Sequence, residues 1–115
     1  MNSIFRGTTP LLRFQYPYKY EEITKLTVTF SQDGIVLFKI RMGDDEIDTI
    51  EDFGVSILLT QEETNLFKHT FSMQAQVKLM TIDGDVWAGD IQNYQIHRIL
   101  DTDLFDMYDE SGEES

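Results

Sequence analysis

Apolar and polar residues trade places every second position along most of this chain. In Phe53-Gly54-Val55-Ser56-Ile57-Leu58-Leu59 the odd positions are apolar through four steps, which predicts a strand whose Phe53, Val55, Ile57 and Leu59 face a core. The alternation stops at Thr60-Gln61-Glu62-Glu63. There the Thr-x-x-Glu spacing predicts a capping box, in which the Thr60 hydroxyl accepts from the Glu63 amide while the Glu63 carboxylate accepts from the Thr60 amide. A short helix over residues 60–67 follows, with Leu66 and Phe67 turned back onto the core. Residues 72–82 and 85–97 then read as the arms of a long hairpin closed at Asp83-Gly84. In the first arm Met73, Ala75, Val77 and Leu79 point inward, and Gln74, Gln76 and Lys78 point to water. In the second, Val86 and Ala88 continue the alternation, but Ile91 falls on the opposite parity from Tyr94 and Ile96. A one-residue slip would turn every later side chain to the wrong face, so a β-bulge is expected at Gly89-Asp90. Trp87, on the alternate face from Val86, reads as a ring covering a sheet edge.

The first half of the chain follows the same period. Residues 11–16 predict a strand with Leu12, Phe14 and Tyr16 on one face, ended or confined to an edge by Pro17. Residues 23–31 predict another, with Leu26, Val28 and Phe30 inward. Asp33-Gly34 supplies the positive φ angles of a tight turn, so residues 35–41 return antiparallel, with Val36, Phe38 and Ile40 sharing a face. Apolar residues on both faces near Ile35 and Leu37 mark that strand as central or covered. A turn at residues 43–46 leads to a short edge strand at residues 47–50. Residues 1–10 read as an extended N-terminal arm, because Pro10 restricts the residue before it to extended geometry. Assembled, these elements predict an all-β fold: an antiparallel immunoglobulin-like two-sheet β-sandwich of about seven strands, with one short helical crossover over residues 60–67. A small closed barrel is the alternative. The domain is expected over residues 11–100, followed by an acidic tail at residues 101–115. Its core is expected to hold Leu26, Val28, Phe30, Val36, Phe38, Val55, Ile57, Leu59, Val77 and Leu79, each contributing roughly 1.5–3 kcal/mol on burial.

Charge changes this picture at one end. Residues 101–115 carry seven acids and no base, leaving 21 − 7 = 14 acids against 9 bases in the first hundred residues. Direct contact with nucleic-acid phosphates depends on Lys and Arg, so no nucleic acid is expected as a partner. The longest apolar run is only a few residues, whereas a transmembrane helix takes roughly 20, and the N-terminus lacks the apolar region of a secretory signal. The expected location is a virion or a bacterial host cytoplasm, without membrane contact. The chain has no cysteine, which excludes disulfides, thiolate metal sites and cysteine nucleophiles.

No constellation of catalytic residues stands out. His69 and His97 lack metal-ligand spacing. The acidic loop Asp44, Asp45, Glu46 and Asp48 lacks the EF-hand spacing, Asp83 is accounted for by its turn, and no serine sits in a nucleophile elbow. The expectation is a non-enzyme with no cofactor and no metal. Surface chemistry is the remaining candidate. Tyr18, Tyr20 and Trp87 are possible protein-interaction residues, as are Leu104, Phe105 and Tyr108 among the acids of the tail. Such a tail orders on a basic, apolar-grooved partner, packs its apolar residues back on the sandwich, or frays as a solubilising end.

Phe5-Arg6-Gly7-Thr8-Thr9-Pro10, the Ile23–Gln32 strand with its hairpin, Leu58-Leu59-Thr60-Gln61-Glu62-Glu63-Thr64, and residues 77–86 together resemble small uncharacterised proteins encoded by phages and prophages of Gram-positive, largely gut, bacteria. More loosely, the chain is similar to the immunoglobulin-like N-terminal domain of phage upper baseplate proteins. The likeness covers nearly all of residues 5–100. It implies a virion-associated or assembly role, with other phage structural proteins or further copies of the chain as partners and no catalytic residues to carry over. Contacts would run through sheet edges such as the Leu11 or Ile47 strand. Two other readings stay open: a carbohydrate-binding, lectin-like sandwich that stacks sugars on Tyr16, Tyr18, Tyr20 and Trp87, and a small acidic cytoplasmic regulator that binds a host protein through its tail.

Overall fold

In the computed structural model, which describes residues 2–100, the alternating segments become nine strands: β1 (Asn2–Phe5), β2 (Leu11–Gln15), β3 (Ile23–Gln32), β4 (Ile35–Arg41), β5 (Ile47–Glu51), β6 (Gly54–Leu58), β7 (Met73–Thr81), β8 (Val86–Ala88) and β9 (Gln92–His97). One α-helical turn, α1 (Gln61–Asn65), crosses between the sheets, and a single 3-10 turn occupies Tyr20–Glu22. The smaller sheet runs β2-β6-β5. The larger runs β1-β9-β7-β3-β4, with β8 also paired to β7. Lettered from β2 as B, these are B-E-D and A′-G-F-C-C′, the immunoglobulin order. Among the described residues no helix is long and apolar enough to cross a membrane.

Local chemistry explains the joints. Asp33 and Gly34 take φ of 51° and 77°, the left-handed pair that lets a two-residue hairpin follow the twist of its strands. Thr60 caps α1 as its spacing predicts. Its hydroxyl accepts from the Glu63 amide at 3.1 Å, and the Glu63 carboxylate accepts from the Thr60 amide at 2.9 Å. In the last hairpin, Lys78 faces Ala88 and Ala75 faces Gln92, so Gln76 and Val77 lie opposite three residues, Gly89, Asp90 and Ile91. That is the expected bulge. It is pinned by the Gly89 amide donating to the Val77 carbonyl at 3.0 Å and the Gln76 side-chain amide donating to the Gly89 carbonyl at 2.8 Å.

The two extra strands have simple origins. The bulge divides the last arm into β8 and β9, and residues 2–5 of the arm pair with β9 in parallel, Ile4 beside Ile96, burying both side chains. The sandwich is therefore antiparallel except at that edge.

Several side chains depart from the parity reading. On β8 it is Trp87 that turns inward, opposite buried Leu79, so Val86 and Ala88 lie exposed on the outer face. Phe30 faces Phe38 but Ser31 faces Val36, which leaves Leu37 as an extra residue and turns Val36 to the outer face, 53% exposed. Instead of being central, β4 is the outermost strand on one side of its sheet, with Ile35 and Val36 exposed, Leu37 and Phe38 half-buried and Ile40 fully buried. Phe53 lies in the β5–β6 turn with φ of 67° and its ring 51% exposed. The strand begins one residue later, and Val55, Ile57 and Leu59 are buried as expected. Leu66 is exposed at the end of α1, whereas Phe67 is fully buried.

Between the sheets runs a chain of rings. Phe14 of β2 meets Phe30 of β3 edge-on at 6.3 Å, Phe30 stacks on Phe38 at 4.8 Å, and Phe38 stacks on Phe67 at 5.7 Å.

Candidate interaction surface

The four aromatic residues proposed for stacking do not share one surface. Tyr16 is buried, and its hydroxyl lies 2.9 Å from the Glu51 carbonyl and 2.8 Å from the Gly54 carbonyl, tying β2 to the β5–β6 turn. Burial also pushes its phenol pKa up. Tyr18 and Trp87 are half-buried and meet edge-on at 6.1 Å, covering one end of the core. Tyr20 is exposed in the 3-10 turn, where its amide donates to the Asp52 carboxylate at 2.9 Å. Leu104, Phe105 and Tyr108 lie outside the described residues.

The acidic loop is a turn that uses its own charges. The Asp44 carboxylate accepts from the Arg41 amide at 2.7 Å. Among the described residues, no group of three or more His, Asp or Glu is placed to hold a metal ion. His97 stacks on Phe5 at 4.9 Å. His69 lines an open hollow of about 340 Å³ together with Arg6, Arg98, Ile99 and Leu100. The guanidinium of Arg6 donates from one terminal nitrogen to the Asn65 carbonyl at 3.0 Å.

Glu63 stands apart, and sequence reasoning read it only as a cap. Desolvation by burial and a hydrogen bond with Glu46 raise its pKa from 4.5 to about 7, against the lowering effect of the Thr60 amide. The folded state therefore holds this proton more tightly than the unfolded chain. Its contribution to stability is full below pH 4.5 and is lost as pH rises to about 7. Glu63→Gln keeps a carbonyl for the cap and can donate to Glu46. It is expected to leave stability unchanged at pH 5 and to raise it by about 1 kcal/mol at pH 8, a figure reduced for partial solvent screening. Urea midpoints at the two pH values check this; an equal shift at both would remove Glu63 as the titrating group.

The outer surfaces of the two sheets differ in charge. On the smaller sheet the Arg13 guanidinium donates to Glu51 at 2.8 Å and to Ser56 at 3.2 Å. It lies over Gly54, filling the space a Cβ there would need. On the larger sheet no strand carries an acid. Lys25, Lys39, Arg41 and Lys78 are all exposed. Among the described residues the one salt bridge is Arg13–Glu51, so none of these four cations is paired there. The edges matter as much as the faces. β2 and β5 bound the smaller sheet and β4 one side of the larger. Ile35 and Val36 are exposed on β4, and Leu11 stands exposed beside Leu58, its partner in register on β6. The sequence marked β2 and β5 as edges, but gave no sign of β4, whose neighbours are set by pairing alone. Comparison of the chain with protein-family models, with curated proteins and with solved structures finds no match.

Proposed function

We propose that the chain is a non-enzymatic interaction module of a phage or prophage particle, joined to its neighbours through the open edges of its sheets. One observation carries the interaction part: β4 is an edge strand with one side unpaired among the described residues, bearing exposed Ile35 and Val36 and no acid. Such an edge offers a row of backbone donors and acceptors for a further strand, and the two aliphatic side chains supply apolar area beside it. The particle setting rests on the resemblance of residues 5–100 to small phage and prophage proteins.

Mass measured in solution across a range of concentrations tests the edge. The expected result is a species heavier than one chain that grows with concentration and reverts to a single chain in Val36→Lys, which places a charge at the edge. A strict monomer at every concentration, with no recovery among the proteins of purified host particles by mass spectrometry, would overturn the reading.

A further inference from the structure

We propose that the acidic segment 101–115 lies across the basic outer face of the larger sheet of its own molecule. This does not depend on the particle reading. The face is defined by register. Thr27 of β3 faces Arg41 on one side and Lys78 on the other, and Thr29 faces Lys39. Lys25 lies two residues before Thr27 on β3, so four of the nine basic residues of the chain stand on one surface. Lys25, Lys39 and Lys78 line an open hollow of about 350 Å³ together with Met80 and Val86. The nearby acids, Asp33, Asp44, Asp83, Asp85 and Asp90, sit in turns and in the bulge rather than on the strands.

Like charges gathered on one sheet face repel one another, and here no described residue forms an ion pair with them. Residues 101–115 complement this surface in two respects. They carry seven acids and no base, and Leu104, Phe105, Met107 and Tyr108 lie between the acids to meet the exposed Val86 and half-buried Met80. The segment also reaches. Tyr94 faces Met73 on antiparallel strands, so β9 leaves the sheet beyond Met73. Lys78 stands about 25–30 Å back along β7 from His97 at the usual strand rise, while fifteen extended residues span up to about 50 Å. Arg98 and Arg6 flank the hollow where residues 99 and 100 leave the sandwich. They are the competing destination for the first acids of the segment.

Carbodiimide cross-linking, which joins a carboxylate to a lysine amine without a spacer, tests this on the full chain. Unlabelled and 15N-labelled protein are mixed in equal amounts and the linked peptides identified by mass spectrometry. Links from acids of residues 101–115 to Lys25, Lys39 and Lys78 are expected to exceed those to Lys19 and Lys68 by about tenfold, the combined effect of several exposed ion pairs. They should join light to light and heavy to heavy only, and fall several-fold in about 1 M salt, where the screening length shrinks to about 3 Å. Mixed light–heavy links would assign the face to the segment of a second copy. Links concentrated at Lys68 would leave the segment beside Arg6, His69 and Arg98, and an even spread over the lysines would mean that it does not dock. Each of these three results overturns the proposal.

Discussion

Phe30→Ala is expected to destabilise the fold by about 3–5 kcal/mol, a large share of the roughly 5–15 kcal/mol that holds a domain of this size together. The ring is fully buried and spans the interlayer, edge-on to Phe14 of the smaller sheet and stacked on Phe38 of its own. Its other partner in register is Ala75, too small to move into the space left behind. The loss therefore combines apolar transfer, an unfilled cavity and two ring contacts. In urea the midpoint should drop by more than about 1 M with the slope unchanged. Phe53→Ala, at a position with the same place in the alternating pattern but a ring turned to solvent, should stay within about 0.5 kcal/mol of the parent. If the two variants cost the same, the ring chain does not join the sheets as described.

Gln32→Ala carries the second large effect, about 2–4 kcal/mol. Gln32 is buried at the end of β3. Its amide nitrogen donates to the carbonyls of Lys68 and Phe71 at 2.7 and 3.0 Å, and its oxygen accepts from the Lys68 amide at 2.7 Å. One side chain thus bonds three backbone groups of the irregular segment between α1 and β7. Removing it leaves the Lys68 amide and the Phe71 carbonyl without partners, at about 1–3 kcal/mol for each that stays dry, while the Lys68 carbonyl keeps a 3.4 Å bond from the Phe71 amide. Water reaching the segment offsets part of this. Hydrogen exchange at the Lys68 amide should accelerate far more than exchange in β3 and β7, because the segment opens locally. Gln32→Glu keeps the acceptor but replaces the donor with a charge facing two carbonyls. It should be at least as destabilised at pH 7 and recover toward pH 4, where a protonated carboxyl can donate again. Exchange at Lys68 unchanged in both variants would end the claim that Gln32 holds this segment.

Gln32 also shows the limit of reading along the chain. Beside Asp33-Gly34 it looks like a turn residue, and nothing within ten positions shows that its partners are Lys68 and Phe71. The Gly89 bulge was legible because Ile91 falls out of step with Tyr94 and Ile96 inside one segment. In the fold the inward parity passes from Trp87, opposite Leu79, to Tyr94 across the bulge, and Ile91 is exposed within it. The bulge at Leu37 was not, since Val36, Phe38 and Ile40 alternate without fault. Only the pairing of Val36 with Ser31 reveals it. The raised pKa of Glu63 was hidden likewise, because its burial and the nearness of Glu46 arise between segments that touch only in the fold.

By itself the sequence determined the period of its strands, the Asp33-Gly34 turn, the Thr60 cap and a core built on Phe30, Val55 and Leu79. Those features depend on backbone sterics, capping and alternation, forces that act within a few residues. Tertiary structure alone decided that β4 lies at an edge, that β1 runs beside β9, that Val36 and Phe53 face water, and that four cations from three strands share one surface. Each of these depends on which strand lies alongside, and that choice comes from burying apolar faces contributed by segments far apart in the chain.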